Sequence, residues 1–440
     1  MPFTMDFSVL RCPHSMKDNF ERFHNAVAYI DSLSNLPLFA EYMKPGKMPH
    51  PEIYLKRMRY FLKLLGNPER GFKFVHITGT AGKGTVATMI HNSLVAQGRK
   101  RGLFTQPFVV SPIEEIQVGN LYITPDEFAG IVEKIKPAID KAYESGKFGR
   151  PSHFEIYFAI ALLYFKQKKC EWAVLEVGCG GRYDATNVIR PPVASAITCI
   201  DYDHVEVLGS TLKAIALDKA GIIKRGSKFF TTESRPPLRR IFERICLGKG
   251  VRLNSVIPKT FDPNQALAAA VGRAIGISEK SITRGISGTR LPARFEIIAR
   301  TPSIIIDGAH NRAKVSHTVS LLKKEKFRKL FLVVALADNK DCRDVFQKLI
   351  PMADEIFFTR FATRDRKPAS PTRLQSELRR YLKTGARTRI FLDSSDALAE
   401  ARRRAGKRDC ILVTGSFFLA GEARKNWFSE EKILKTRRSF

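Results

Sequence analysis

The sequence predicts an α/β protein with two domains, a doubly wound N-terminal domain and a smaller Rossmann-like C-terminal domain. Short apolar runs typical of buried strands alternate with helical patterns along most of the chain, as in parallel, doubly wound sheets. A glycine-rich turn joins one of these strands to a helix. The alternation breaks near residues 285–294 and then resumes, so we expect one domain over residues 1–288 and a second over residues 289–440.

The N-terminal part, up to about residue 72, is predicted to be helical. Phe23, Val27 and Ile30 recur at helical spacing, and a loop rich in proline and glycine, MKPGKMPHP, comes later. We interpret this part as a helical lead-in, because it leaves little room for a separate substrate-binding domain before the glycine-rich turn.

The segment FVHITGTAGKGT, residues 74–85, predicts a nucleotide phosphate site of the P-loop type. A strand that passes through glycines into a helix presents backbone N–H groups and the positive end of the helix dipole to anions. Such a turn alone could be an ordinary connection, but the added Lys-Gly-Thr favours phosphate binding. The residues expected at the phosphates are Gly79, Thr80, Gly82, Lys83, Gly84 and Thr85.

Further strands of the first domain are predicted at LFTQPFVV, WAVLEV and AITCI. Ser152 and Glu155 have the spacing of a capping box, which predicts a buried helix over residues 156–165. Another helix is expected from Leu212 to Ala220. Ligands of doubly wound sheets collect beyond the carboxyl ends of the strands. These ends are expected at residues 79–85, 176–187 and 201–204.

The second domain is predicted to contain the strands SIIID, LFLVVAL, EIFFT and ILVTG. Asp307 and His310 follow the first of these strands, and Arg294 lies in the linker before it. Each of the three could be a surface residue. Together, at strand ends and at a domain junction, they predict a cleft that closes over a nucleotide.

Three residues of the first domain are candidates for metal binding or catalysis. Glu176 ends a strand near the phosphate site, where Mg²⁺ takes carboxylate and phosphate oxygens, although it could instead pair with Arg182. His204 lies beside two aspartates, and a lone histidine is more often structural. Lys219, on a helix, could equally be a solvated lysine paired to an acid.

The composition favours anionic partners, because the formal net charge is +31, from 74 basic and 43 acidic residues. The basic residues are scattered, so we expect no specific nucleic-acid binding, although a nucleic-acid-associated NTPase is an alternative. The seven cysteines have no metal-binding spacing, no apolar run is long enough for a membrane span, and the N-terminus lacks a signal-peptide pattern. We therefore expect a cytoplasmic protein, and nothing in the sequence requires more than a monomer.

Six motifs, in order, closely resemble those of folylpolyglutamate synthase/dihydrofolate synthase, a family of the Mur ligase superfamily. They are HITGTAGKGT, LEVGCGGRYDATN, CIDYDHVEVLGSTLKAIALDKAGIIK, LPARFE, IIIDGAHN and VTGSFFLAGEAR. The resemblance implies an N-terminal ATPase domain, a C-terminal glutamate-ligase domain and a role in folate and one-carbon metabolism. In the implied reaction, a carboxylate of dihydropteroate and/or a (tetrahydro)folate attacks the γ-phosphate of ATP, and the amine of L-glutamate then displaces phosphate from the acyl phosphate.

The resemblance also implies a role for each candidate residue. Lys83, His204 and Lys219 would be catalytic, and Lys219 matches a lysine that is carbamylated in the family, a change that would turn an ammonium group into an oxygen ligand. Two Mg²⁺ ions would be held by Thr85, Gln106, Glu176, His204 and Lys219. ATP would also contact Asn264, Arg294, Asp307 and His310, and the pterin substrate would contact Ser152, Phe154 and Glu155.

One departure from the family pattern concerns the metal site. Gln106 stands where the family has a serine that binds magnesium, so a side-chain carbonyl oxygen would replace a hydroxyl group. The nearest alternative function is another Mur-type amino-acid ligase with a different carboxylate acceptor. The short N-terminal lead-in disfavours those members that bind a nucleotide sugar with an additional domain.

Overall fold

The computed structural model describes residues 20–34, 51–145, 147–258, 262–363 and 366–440. The helical prediction for residues 1–19 and nearly all of the loop MKPGKMPHP lie outside the described residues. Within the described residues, the predicted mixed α/β architecture is confirmed, with two separate sheets.

The helical lead-in contains helices α1 (Glu21–Ser34) and α2 (Glu52–Leu64). The predicted helical face of α1 is confirmed at Phe23 and Ile30, which are buried, as Met58 and Phe61 are on α2. These side chains belong to the same hydrophobic core as the first sheet. The lead-in is therefore part of the first domain rather than an independent unit.

The first sheet is parallel except at one edge. Its strands are β1 (Lys73–Thr78), β2 (Arg101–Phe104), β3 (Ile116–Val118), β4 (Leu121–Tyr122), β5 (Trp172–Glu176), β6 (Ala194–Ile197), β7 (Lys228–Thr231) and β8 (Leu253–Ser255). Their spatial order is β4-β3-β2-β5-β1-β6-β7-β8, and among the described strands of this sheet only the β2–β3 and β3–β4 pairs are antiparallel. The glycine-rich turn after β1 therefore lies at the centre of the sheet, next to the end of β5.

Helices cover both faces of this sheet, as its doubly wound pattern predicts. They are α3 (Lys83–Ala96), α4 (Pro125–Glu144), α5 (His153–Gln167), α6 (Val205–Leu208), α7 (Leu212–Lys219), α8 (Pro236–Lys249), α9 (Pro263–Ala274) and α10 (Glu279–Ser287). Successive residues of β1 alternate between two cores: Phe74 packs with α5, and Val75 packs with α3. The predicted helix α5 is confirmed, together with its capping box between Ser152 and Glu155.

Two predicted strands are shorter than expected. The strand predicted at LFTQPFVV ends at Phe104, because the carboxylate of Glu114 binds the backbone N–H groups of Val109 and Val110, at 2.7 and 2.8 Å, and holds that segment in a turn. The strand predicted at AITCI ends at Ile197. The Thr198 hydroxyl group, which follows it, donates to the carbonyl of Ala81 at 2.5 Å and connects the strand end to the glycine-rich turn.

The break predicted at residues 285–294 begins later than expected. Residues up to Ser287 belong to α10, which packs against α3 so closely that Gly285 lies against the backbone of Ser93. Close helix packing of this kind explains the glycine, which lies within α10 and not in the predicted linker. The division at residues 288 and 289 stays a prediction.

The second sheet has strands β9 (Glu296–Arg300), β10 (Ser303–Ile306), β11 (Leu330–Val334), β12 (Glu355–Phe358), β13 (Arg387–Ile390) and β14 (Cys410–Thr414). Its order is β13-β12-β11-β14-β10-β9, and β9 is the antiparallel edge strand. Helices α11 (Arg312–Leu322), α12 (Cys342–Phe346), α13 (Pro371–Leu378), α14 (Ser394–Arg404) and α15 (Phe417–Arg424) cover it. Both α11 and α15 begin beyond carboxyl ends of strands, where this domain faces the first.

The C-terminal segment connects the two domains. Helix α16 (Glu430–Thr436) contributes Ile433 and Leu434 to a core of the first domain. After it, Arg437 Nε donates to the carbonyl of Tyr122 at 2.8 Å, and Ser439 Oγ donates to Glu114 Oε1 at 2.6 Å. The second domain is therefore anchored to the first on the side of β3 and β4. In the described part of the chain, none of the helices combines the length and the apolar character that a membrane span requires.

Candidate active site

The glycine-rich turn brings the predicted phosphate-binding residues, except Gly79, to one edge of a cavity between the two domains. Gly82 has a φ of 83°, and any side chain there would collide with the amide of Asn264, so glycine serves both the backbone conformation and the close approach. Lys83 starts α3, and its Nζ donates to the carbonyl of Gly79 at 3.2 Å. Thr80 Oγ1 donates to the carbonyl of Asp201 at 2.9 Å. The cavity is lined by Thr80, Gly82, Lys83, Gly84, Thr85 and Asn264.

Glu176 lies directly above this turn. A Cβ atom on Gly84 would be 2.9 Å from the Glu176 carboxylate, which explains the glycine between the lysine and the threonine. The carboxylate accepts a hydrogen bond from the Gln106 backbone at 3.1 Å, and burial raises its pKa while the charge of Lys83 opposes that rise. Among the described residues, the charges that act on Glu176 come from Lys83, Arg294 and Lys314 and not from Arg182.

The side chain of Gln106 has a fixed orientation. Its Nε2 donates to Glu115 Oε2 at 3.0 Å, so its carbonyl oxygen is the polar atom left for other partners. The other oxygen of Glu115 accepts from the backbone of Phe108 at 3.3 Å. Glu115 is buried, and burial raises the pKa of its carboxyl group to about 7.

Lys219 is a buried residue and not a solvated one. It is 4% exposed, and its Nζ donates to the carbonyl of Gly79 at 3.1 Å. Burial, with help from the nearby charge of Lys83, lowers the pKa of Lys219 to about 8. The sequence-based alternative, a lysine paired to an acid in solvent, is therefore wrong.

His204 and Asp203 lie on a loop that reaches the second domain. His204 has a φ of 50°, a left-handed conformation that is uncommon for a residue with a side chain and is concentrated at functional sites. Burial lowers its pKa to about 4. Asp203 accepts hydrogen bonds from Lys340 Nζ and Asn311 Nδ2, both at 3.1 Å. The loop therefore faces the cavity and contacts the second domain at once.

The second domain places Arg294 at the cavity. Its guanidinium group lies 3.9 Å from the ring centroid of Phe417, and its Nη1 atom is buried without a hydrogen-bond partner. Both carboxylate oxygens of Asp307, by contrast, accept hydrogen bonds from within the protein. Its carboxylate accepts from the backbones of Phe295 and Ala309, each at 2.7 Å, and therefore shapes the loop that carries Arg294.

His310 is held in one tautomer. Its Nδ1 donates to the carbonyl of Gly308 at 2.8 Å, since a carbonyl oxygen can only accept, and burial lowers its pKa well below the ordinary value. The remaining nitrogen, Nε2, lies 3.1 Å from the Nζ of Lys314. Lys314 was not among the predicted site residues. The sequence feature that could have identified Lys314 as a site residue is its position one helical turn after His310.

The cavity has a volume of about 1210 Å³ and concentrates positive charge. Lys83, Arg294 and Lys314 line it, and Lys219 lies beside the turn. Over the described residues, none of these four side chains has a carboxylate within ion-pair distance. The carboxylate of Glu176 acts on Lys83, Arg294 and Lys314 only from beyond ion-pair distance, so an anion among these like charges would stabilise them further. The cavity is therefore suited to a polyanion.

The predicted pterin-site residues lie outside the lining of this cavity. The Phe154 ring lies against Gly178, which does line it, and packs 5.8 Å from the ring of Phe104. The carboxylate of Glu155 already has partners within the protein, because it accepts a hydrogen bond from the backbone of Ser152 at 2.6 Å and pairs with Arg57 at 2.8 Å. Phe154 is thus close to the cavity, whereas Glu155 supports the helix that carries Phe154.

A glycine-rich strand-to-helix turn on a doubly wound sheet, facing a second α/β domain across a cavity lined by lysine and arginine, defines a two-domain ATP-dependent ligase of the Mur type. Family models agree: the Mur ligase middle domain matches residues 77–235, and the glutamate ligase domain of the Mur ligases matches residues 293–417.

Similar proteins of known name indicate which kind of Mur-type ligase this chain resembles. The chain is 27% identical to a dihydrofolate synthase/folylpolyglutamate synthase of Bacillus subtilis, over 87% of this chain and 95% of the relative. A solved folylpolyglutamate synthase of Thermotoga maritima is 30% identical, with a TM-score of 0.75 over 92% of this chain and 98% of that one. A Mycobacterium tuberculosis folylpolyglutamate synthase, solved with ADP and AMPPCP, is 25% identical, with a TM-score of 0.80 over 93% and 99% of the two chains. The chain therefore belongs to the folylpolyglutamate synthase/dihydrofolate synthase family of the Mur ligase superfamily.

Proposed function

We propose that this protein ligates L-glutamate to dihydropteroate, to a (tetrahydro)folate or to both, with ATP as the source of energy. The observation that supports this most directly is the cavity at the junction of the two domains, which is lined by a glycine-rich turn and by Lys83, Arg294 and Lys314, with Lys219 behind the turn at the carbonyl of Gly79. A nucleoside triphosphate supplies the negative charge that this arrangement lacks.

The residues at the turn fit the nucleotide and its metal. The unpaired Nη1 of Arg294 is a buried donor that needs an acceptor, and a phosphate oxygen would provide one. Asn264 lines the same cavity and would contact the nucleotide directly, whereas Asp307 and His310 are hydrogen-bonded within the protein and would shape the nucleotide site. The donors Thr85, Gln106, Glu176 and His204 offer oxygen and imidazole ligands of the kind that Mg²⁺ and similar cations accept. When bound, such ions neutralise charge on the transferring phosphoryl group.

Lys219 is the proposed site of carbamylation. Its ammonium group is buried close to the positive charge of Lys83, and a carbamate would replace this repulsion with an anionic oxygen ligand beside the nucleotide. A lowered pKa leaves more of the neutral amine that carbamate formation requires. With the carbamate in place, the second of two proposed metal positions would have a protein ligand.

Phe154 and Ser152 support an acceptor site for the flat ring system of a pterin. Phe154 lies against Gly178 at the edge of the cavity, and an aromatic ring at that place can stack on a heterocycle. We assign to Ser152 and Glu155 the role of holding this ring through the capping box and the buried pair with Arg57.

In the proposed reaction, the domains hold the acceptor carboxylate in line with the γ-phosphate. Lys83 and Arg294 offset charge on the transferring group, an acyl phosphate forms with release of ADP, and the amine of L-glutamate displaces phosphate. The six described cysteines form no disulfides, which suits the reducing cytoplasm where we place this reaction.

The test is release of phosphate from Mg-ATP by the purified protein with L-glutamate and either dihydropteroate or tetrahydrofolate. Both substrates should support phosphate release if the protein has both activities. Only one substrate should do so if the protein has a single activity. Lys83→Ala should lower the rate at least about 100-fold, because it removes a charge that stabilises the transition state. Lys213→Ala, an exposed lysine on α7, is the matched control and should be neutral. Normal turnover by Lys83→Ala would contradict the proposal.

A further inference from the structure

Helix α11 of the second domain delivers a lysine to the cavity that none of the predicted roles uses. Lys314 lies one turn after His310, lines the cavity and is partly buried. Lys83, on the glycine-rich turn of the other domain, lines the same cavity.

His310 holds this lysine in place. Because Nδ1 of His310 donates to the carbonyl of Gly308, Nε2 carries the lone pair and accepts a hydrogen bond from Lys314 Nζ at 3.1 Å. An ammonium group has three N–H donors, so two remain after this bond. They have no other hydrogen-bond partner among the described residues and are available to a ligand in the cavity.

The surroundings of Lys314 lack a counterion at contact distance. The ring of Phe417 is 5.9 Å away, and in the described ranges no carboxylate lies within ion-pair distance of Nζ. Burial, Lys83 and Arg294 lower the pKa of Lys314 to about 7, whereas the more distant Asp203 and Glu176 oppose the change. These surroundings disfavour the charged form of the lysine, and an oxyanion beside Nζ would stabilise it.

We propose that Lys314 is a phosphate ligand that the second domain contributes to the nucleotide site, where it binds the terminal phosphate together with Lys83. The inference rests on the proposed function. It assigns His310 a positioning role, since the imidazole orients Lys314. Supplying one cation from each domain makes the charge around the transferring phosphoryl group depend on domain closure.

The test compares Lys314→Met, Lys314→Arg and the matched control Lys323→Met, which removes an exposed lysine at the end of the same helix. Calorimetry of the full chain with Mg²⁺ would measure the affinity for ADP and for a non-hydrolysable ATP analogue. Lys314→Met should weaken binding of the analogue at least about tenfold more than binding of ADP, because only the analogue carries the terminal phosphate. Lys314→Arg should restore most of this difference, and Lys323→Met should match the parent protein.

Thermal unfolding of the ligand-free variants gives a second readout. Lys314→Met should unfold at a higher temperature than the parent protein, because it removes a repelled charge, and a residue that only supports the fold would have the opposite effect. The inference would be overturned if Lys314→Met lost equal affinity for both nucleotides. It would also be overturned if nucleotide binding were unchanged and the KM for L-glutamate rose, a result that would assign Lys314 to the amino-acid carboxylate. A parent protein that binds neither nucleotide would instead overturn the proposed function.

Discussion

The carboxylate of Asp203, on the first domain, lies 3.1 Å from the ammonium group of Lys340, on the second. Asn311 donates to the other oxygen of the same carboxylate at 3.1 Å. Since Asp203 adjoins His204, a proposed metal ligand, this contact connects the position of the second domain to the geometry of the metal site.

Asp203→Asn should loosen this connection. The change removes the negative charge of the carboxylate that accepts hydrogen bonds from Lys340 and Asn311. We expect the free energy of unfolding to fall by about 1–3 kcal/mol. A double-mutant cycle with Lys340→Met would measure the coupling, which should exceed about 0.5 kcal/mol for residues in contact. Strictly additive losses would show that the two side chains do not interact in solution.

The buried pair between Arg57 and Glu155 should carry much of the stability of the lead-in. Their side chains are 8% and 2% exposed. Arg57→Met leaves a buried carboxylate unpaired and should cost about 3–5 kcal/mol in chemical denaturation. The matched control is Arg273→Met, which breaks a pair with Glu279 whose side chains are 57% and 63% exposed. The control should be neutral, since exposed pairs contribute little, and equal losses would contradict this account.

Glu115 should affect metal binding through Gln106. Glu115→Leu frees the Gln106 amide to rotate, and we expect the affinity for Mg²⁺ in the presence of a non-hydrolysable ATP analogue to fall about tenfold, as for other residues that orient metal ligands. Calorimetry would measure it. Adding Gln106→Ala should produce no further loss, because both changes act on the same oxygen. Unchanged affinity in Glu115→Leu, or losses that add, would show that Glu115 does not act in this way.

Lys219 should take up carbon dioxide from ¹³C-labelled bicarbonate. With a pKa of about 8, about a tenth of its amine is neutral at pH 7, far more than for an ordinary lysine. The carbamate signal in ¹³C NMR should therefore be detectable at pH 7 and grow toward pH 9 as more amine loses its proton. Lys219→Met should abolish it and Lys213→Met should retain it. A signal that survives Lys219→Met would assign the carbamate to another lysine.

The sequence predicted the parts of the site that local pattern determines. The turn from Gly79 to Thr85 and the carboxylate of Glu176 follow buried strands, and the carboxyl ends of neighbouring parallel strands meet at one edge. The contact between Asp203 and Asn311 was beyond reach, because it depends on how the two domains face each other across 108 positions of sequence. Lys314 was marked only by its spacing of one helical turn from His310, which by itself does not show that both side chains meet at the cavity. The predicted linker begins too early because a glycine in the sequence indicates either a loop or close packing of helices, and Gly285 serves the second purpose.

The mass of the folate substrate tests the central claim most directly. The purified protein would be incubated with Mg-ATP, L-glutamate and either dihydropteroate or tetrahydrofolate, and the products would be separated and weighed by mass spectrometry. The account predicts that at least one of the two gains glutamyl residues, and that Lys83→Ala nearly abolishes the gain. An unchanged mass for both, in a folded protein that binds ATP, would contradict it.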